Sequence, residues 1–380
     1  MFCISSSYLG AFNESKLSLK LCQLPIFYKE KQLDKQFEIN HKLRAELANK
    51  TRFTKNFENK IFALAIKMIP AVFLENFSNL EKQIKKKNIP SEPKIILSSN
   101  FLWYDSFSML YTALKKEKGA KLFYGQHGGC YGICKVNFAE SHELKIADKY
   151  LSWGWSQIGQ KNKIKKIGII SNLNKYKRVT YPKNLLILFR PIYKYFVSIE
   201  SGIGTEQFKD YSKYCENLFN NLNSNIKDQT ILRPHLNFYK EELFSKFKHT
   251  KKLHFSNRSF RDDCNNARLI INTCNSTTYL QTFSLNFPSI VLWNKANNPI
   301  KKQAHRYIDF LSKNNLLFYD GKKASKFVNK IWKSGIDKWW YGDKNQKILK
   351  KFTNIYCKKN NNIILEIKDL ILKENKKQSD

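Results

Sequence analysis

The sequence predicts an α/β protein with two facing, doubly wound domains, each built on a parallel sheet. A helical segment precedes them and C-terminal helices follow. Three observations lead there. From residue 94 onward, short apolar runs alternate with helix-length stretches, the spacing that parallel strands with crossovers require. The alternation comes in two series, separated at 159–182 by a basic, Asn-rich, weakly patterned stretch that reads as a linker. Glycine- and hydroxyl-rich turns follow several of the apolar runs, where open parallel sheets hold ligands. A length of 380 residues allows two or three domains, and 42% hydrophobic residues with 14% aromatics exclude a disordered chain.

The expected organisation is a helical segment at 1–90, a first α/β domain at 91–165, a second at 183–330, and helices at 331–380. In the first segment Leu43, Leu47, Phe53 and Phe57 recur at helical spacing within 37–60. The pattern continues over 61–69 until Pro70 ends it, and Ser91-Glu92-Pro93 is a break. Residues 94–98 read as a buried strand. Asp105 caps the helix that follows, and Gly119 ends it. Strands are expected at 121–124 and 149–153, the second running into Gly154. The second series has strands at 185–189, 230–232, 252–255, 269–272, 289–293 and 316–319. Helices fall between them at 206–222, 238–247, 259–267, 278–285 and 301–313.

Lys and Arg number 67 against 31 Asp and Glu, a formal net charge of +36. The excess is mostly Lys and runs the length of the chain with Asn, Ile, Phe and Tyr. Those residues share A/T-rich codons, so composition bias accounts for the profile, together with a general attraction to phosphates and anionic surfaces. There is no RGG tract, no Cys/His finger spacing and no long basic helix, so no nucleic-acid partner is expected. The eight Cys are irregularly spaced and no basic, signal-like region opens the chain, which fits free thiols in a reducing cytoplasm. The longest apolar stretch, 61–74, is broken by Lys67 and Pro70. It falls short of the roughly 18 residues a membrane helix needs.

Four turns can carry chemistry. In Gly125-Gln126-His127-Gly128-Gly129-Cys130-Tyr131-Gly132, the glycines permit close ligand approach, and His127 can act as general base toward a hydroxyl. Glu140-Ser141-His142-Glu143 supplies a carboxylate that can orient the imidazole or hold an acceptor hydroxyl, with Glu140 the catalytic candidate; the same residues also fit a solvated helix face. Gln126, Gly128, Gly129 and His142 are the loop residues expected against an incoming hydroxyl. Arg233-Pro234-His235 directly follows a strand and offers a bidentate and a single donor to a phosphate. Asn275-Ser276-Thr277 opens a helix after a strand, where backbone N–H groups and hydroxyls make an anion site. Trp153 and Trp155 offer a stacking surface to a sugar, though such residues more often fill a core, and Asp262-Asp263 resembles a metal-binding acidic pair but better fits a charged helix face beside Arg261. His127, Cys130, Cys134 and His142 lack metal-site spacing, so no metal is expected. No phosphate-binding P-loop or dinucleotide fingerprint occurs.

These motifs, with Ala147-Asp148-x-Tyr150-Leu151-Ser152-Trp153-Gly154-Trp155 between them and Asn286-Phe287-Pro288-Ser289 after them, resemble a family of transferases associated with O-antigen and other surface-polysaccharide clusters. The resemblance spans residues 89–319. More distantly they are similar to GT-B enzymes with CMP- or CDP-activated donors: bacterial sialyltransferases, capsular Kdo transferases and CDP-glycerol glycerophosphotransferases. The resemblance implies two Rossmann-like domains, the first on the acceptor side and the second binding a nucleotide-sugar donor. It implies His127 as base, and His235, Ser276 and Thr277 at the donor phosphate beside Arg233 and Asn275. No cofactor is implied. The acceptor would be a growing, lipid-linked surface glycan, met at the inner face of the cytoplasmic membrane. A glycerophosphotransferase and an inactive nucleotide-sugar-binding module are the alternatives. Three departures stand out. Pro234 precedes the His, family members have a longer N-terminal region, and Cys130 and Cys134 have no family role.

Overall fold

The computed structural model describes residues 1–26, 38–50, 55–86, 88–171, 173, 176–192, 204–235, 241–248 and 251–377. They form two compact units, Met1–Gly125 with Ile367–Asp380, and Gln126–Glu366. The α/β class is what the structure has: every pair of neighbouring strands described below is parallel.

In the first unit β1 (Phe2–Ile4), β2 (Ile95–Ser98) and β3 (Lys121–Gly125) run side by side, Phe2 opposite Ile95 and Ile95 opposite Lys121. β1 and β2 are buried on both faces, as the unbroken apolar runs Phe-Cys-Ile and Ile-Ile-Leu require of parallel strands. β1 lies in a segment expected to be helical. Three residues are too few to show a period, and the partner that makes them a strand is about ninety positions away. Helices α1 (Ala11–Lys20), α2 (His41–Lys50), α3 (Asn56–Met68), α4 (Phe77–Lys86), α5 (Phe101–Tyr104) and α6 (Ser106–Glu117) complete the unit. Asp105 caps α6 as expected, accepting from the Phe107 N–H at 3.2 Å, and Gly119 follows at φ +92°. The helical period read over 37–60 belongs to two helices, α2 and the start of α3; residues 37 and 51–54 lie outside the described set. The end of α3 is held by a buried side chain. Arg44 donates to the carbonyls of Ile66, Lys67 and Ile69 at 2.8–2.9 Å, and to both oxygens of Glu75 at 2.7 and 2.9 Å. The free carbonyls of a helix end are thereby satisfied, and Arg44 holds the Glu75 carboxyl down at about 2.

In the second unit α7 (Phe138–Ile146) precedes a strand pair, β4 (Lys149–Ser152) and β5 (Ile164–Lys166), with Tyr150 opposite Ile164. β5 falls inside the stretch expected to be linker. Ile-Lys-Lys carries one apolar residue, so periodicity had nothing to register; residues 172, 174 and 175 of that stretch are outside the described set. A six-stranded sheet follows in the order β11-β10-β9-β6-β7-β8. Its strands are β6 (Asn184–Leu188), β7 (Thr230–Arg233), β8 (His254–Phe255), β9 (Ala267–Asn272), β10 (Ser289–Leu292) and β11 (Leu317–Phe318), each within one to three residues of its expected place. The connecting helices are α8 (Thr205–Asn220), α9 (Ser224–Lys227), α10 (Glu241–Phe244), α11 (Phe260–Asn266), α12 (Thr277–Ser284) and α13 (Lys302–Lys313). The helix expected at 238–247 is seen only as α10, with 236–240 outside the described residues. Then come α14 (Gly321–Ser334), α15 (Ile336–Trp340), α16 (Asp343–Tyr356) and α17 (Ile363–Lys376), the last running on into the first unit.

Alternation along β6 builds two cores. Leu185 and Ile187 pack with Tyr211, Cys215 and Leu218 of α8 and Val328 of α14, while Leu186 and Leu188 pack with Cys264, Ile270 and Phe287. These cores fix the carboxyl ends of β6 and β9, where the polar turns begin.

Candidate functional site

The site is built within the second unit on the loop 126–132. Gln126 anchors it and is fully buried. Its Oε1 accepts from the Trp153 N–H at 3.0 Å and the Trp155 indole at 2.7 Å, its carbonyl accepts from the Trp153 indole at 2.9 Å, and its Nε2 donates to the Gly128 carbonyl at 2.8 Å. Gln126, expected to contact an acceptor, is therefore part of the frame, and the two tryptophans are core, as their sequence context suggested. Gly132 has φ +72°, and a Cβ there would lie 2.5 Å from the Trp155 ring, so only glycine fits.

His127 is half-buried beside this frame, with 20% of its side chain open. Behind it is Glu143 on α7, fully buried. Glu143 Oε1 lies 3.4 Å from His127 Nδ1 and accepts from the Tyr131 hydroxyl at 2.9 Å, while Oε2 accepts from the Tyr150 hydroxyl at 3.0 Å. The Tyr131 hydroxyl is 3.4 Å from both ring nitrogens of His127. Burial, then the Glu143 charge, pushes the Tyr150 phenol well above its usual range, so it stays a donor. A carboxylate facing Nδ1 favours the tautomer with N–H on that side and leaves Nε2 able to accept a proton.

Glu140, the catalytic carboxylate expected on sequence, is engaged away from the imidazole. Its Oε2 accepts from the Gly132 N–H at 2.8 Å, and its Oε1 from Gln157 at 2.9 Å and from the Lys301 ammonium. It clamps the loop to the segment after β10, where the Lys135 N–H donates to the Pro299 carbonyl and the Lys301 N–H to the Ile133 carbonyl, both at 2.8 Å. Glu140 and Glu143 both face inward from α7, and His142 faces solvent.

The same loop meets the turn after β9. The Gly129 N–H donates to Thr277 Oγ1 at 2.9 Å and the Cys130 thiol to the Asn275 carbonyl at 3.0 Å. The Asn275 amide donates to Cys134 Sγ at 3.1 Å. A Cβ on Gly129 would lie 2.3 Å from the Ser276 carbonyl carbon and 2.5 Å from the Thr277 nitrogen. Thus His127, Gly128, Gly129, Asn275, Ser276 and Thr277 are brought together at the N-terminus of α12. Ser276 occupies the N-cap position, its Oγ 3.1 Å from Thr278 Oγ1. Cys130 and Cys134, without a role on sequence, are the joints between loop and turn.

The family model of the LIC12162 family transferases matches residues 1–371. The chain belongs to that family.

No curated protein matches the chain. Among solved structures, this LIC12162 family transferase is distantly similar to the wall teichoic acid polymerase TagF, at 14% identity over 76% of this chain and 75% of that one, TM-score 0.40. It is likewise similar to Acinetobacter baumannii MurG, at 11% identity over 98% and 99% of the chains, TM-score 0.43. Anabaena HepE, in complex with UDP-glucose, aligns at 10% identity over 78% and 81%, TM-score 0.43.

Arg233 and His235 of the transferase are placed differently from the turn. Arg233 is spent on Asp263 at 2.6 Å, the Arg258 carbonyl at 2.8 Å and Ser256 at 3.3 Å. Asp263 is buried against Arg233 while half-buried Asp262 pairs with Arg261 at 3.5 Å, so only part of the acidic pair is the helix face read from sequence. Ser256 and Asp263 line a cavity of about 490 Å³ floored by Leu186, Ile231 and Phe255, which shares no residue with the glycine loop. His235 is exposed at the end of β7. A further guanidinium, that of Arg190, bears on the turn. It acts on the buried Cys274 thiol, lowering a pKa that burial raises more, and its own buried Nε has no hydrogen-bond partner among the described residues. Arg190 follows central strand β6 and its N–H donates to the Tyr211 hydroxyl at 3.1 Å. Phe189-Arg190-Pro191 repeats the Arg-Pro pair at 233–234, a signal the sequence carried.

Proposed function

We propose that this transferase moves a sugar from a nucleotide-activated donor to a hydroxyl of a surface glycan, on a GT-B-like pair of α/β domains. One observation carries the reading: His127, backed by buried Glu143, sits on a loop that rests on the N-terminus of α12. His127 Nε2 takes the proton from the acceptor hydroxyl as its oxygen attacks the anomeric carbon. The bond from that carbon to the donor phosphate breaks, and the electron pair leaves with the nucleotide. The N–H groups opening α12, the Ser276 and Thr277 hydroxyls and the Arg190 guanidinium take up the charge that develops on the phosphate, so no divalent ion is required. Arg190 replaces Arg233 in this reading, and Glu143 replaces Glu140 as the residue positioning the base. A CMP- or CDP-linked donor and a lipid-linked acceptor at the inner membrane face complete the proposal.

Two variants test it. His127→Ala is expected to abolish transfer, a loss of about 100-fold or more, with nucleotide binding retained. Ser276→Ala with Thr277→Ala is expected to weaken nucleotide binding itself. Unaltered turnover in the His127 variant, measured by product formation, would remove the base from the mechanism. A phosphodiester product would make the enzyme a glycerophosphotransferase using the same groups.

A further inference from the structure

Helix α3 is apolar on two opposite faces. Ile66 is buried and Phe62 half-buried on the inner one. On the outer face Phe57 is 73% exposed, Ile61 50%, Leu64 52% and Met68 72%. Steps of four, three and four residues put these side chains in a single stripe. A second apolar face on a helix calls for apolar surroundings of its own, yet this stripe faces out. Exposed Lys60 and Lys67, two turns apart, form a row along one edge, and Glu58 is the only acidic residue of the helix. The Arg44 clamp on the last carbonyls holds this helix on α2 and Glu75, so the stripe stands on a fixed support.

Charge decides between occupants. A second copy of a chain with formal charge +36 would bring like charge against like. A bilayer with anionic lipids meets the lysine row with phosphates and the stripe with acyl chains. We propose that the outer face of α3 is a membrane-docking surface. The helix lies in the plane of an anionic bilayer, with Phe57, Ile61, Leu64 and Met68 at the acyl boundary and Lys60 and Lys67 among the headgroups. This deepens the membrane-face part of the proposed function but does not rest on the transfer chemistry, since neither His127 nor α12 takes part.

The test is co-sedimentation of the full chain with vesicles of roughly seven parts phosphatidylcholine to three of phosphatidylglycerol, against phosphatidylcholine alone. Binding is expected to the anionic vesicles, weakening at about 0.5 M salt. Phe57→Gln with Leu64→Gln is expected to bind about tenfold or more weakly. Its circular dichroism and thermal midpoint should stay unchanged, because both side chains face out. Three results would overturn the proposal: a native chain that ignores anionic vesicles, a variant that binds them equally well, or a native dimer in sedimentation equilibrium that the variant dissolves. The last would assign the stripe to self-association.

Discussion

Glu143 shows how much one buried carboxylate can organise. It accepts from Tyr131 and Tyr150 and faces His127 Nδ1, contacts that hold a ring with 20% of its side chain open. Glu143→Gln keeps the shape but loses the charge that favours the Nδ1–H tautomer and, in the proposed mechanism, steadies the imidazolium formed on proton transfer. Its expected effect is a fall in kcat of about 10- to 100-fold with the donor KM nearly unchanged. A folding defect would lower apparent kcat at the same donor KM, so the circular dichroism and thermal midpoint of the variant are measured alongside, and both should match the native chain. The choice between Glu140 and Glu143 was beyond the sequence. Both lie on one helix face three residues apart, and what draws Glu140 away is Lys301, 161 positions later. Arg233 against Arg190 is the same lesson. Both begin an Arg-Pro pair after a strand, and only the fold shows that buried Asp263 holds Arg233. The glycine loop and the hydroxyl-rich turn, by contrast, were legible, because close backbone approach and helix capping leave their mark in the residues themselves.

At the scale of elements, the ion pair that ends α3 makes stability depend on acid. Arg44 holds the Glu75 carboxyl at about 2, below the ordinary value of 4.5. A depressed carboxyl contributes stability that is fully present above its unfolded-state pKa and is lost as pH falls through the folded one. The thermal midpoint of Glu75→Gln is therefore expected below that of the native chain from neutral pH down to about 5. The gap should close as pH falls from the usual carboxylate range toward 2; a gap independent of pH would show that the charge of Glu75 does not matter. Most elements were legible because apolar runs and cap residues are local: Asp105 and Gly119 bracket α6 as expected. β1 and β5 were not. Each has three residues, and pairing with a distant partner rather than any period makes it a strand.

For the whole molecule, charge and site chemistry must be separated. A chain of net charge +36 attracts any polyanion, so nucleotide binding is best read near physiological ionic strength, where the Debye length is about 8 Å. One nucleotide among CMP, CDP, UDP, GDP and ADP is expected to raise the thermal midpoint by several degrees at about 100 times its Kd, with EDTA making no difference. An equal response to all five would mean that charge alone is read. Dependence on a divalent ion would remove the metal-free part of the proposal.

The contact between Gly129 and Thr277 has a consequence for how the two substrates sense each other. The loop bearing His127 and the turn opening α12 share a hydrogen bond and leave no room for a single methyl between them. In the proposed reading, a phosphate settling at that turn cannot leave the loop indifferent. Free energies of binding are reciprocal. Whatever factor a seated donor adds to the grip on the acceptor, the acceptor returns to the donor, so one close-packed glycine ties the two affinities to each other.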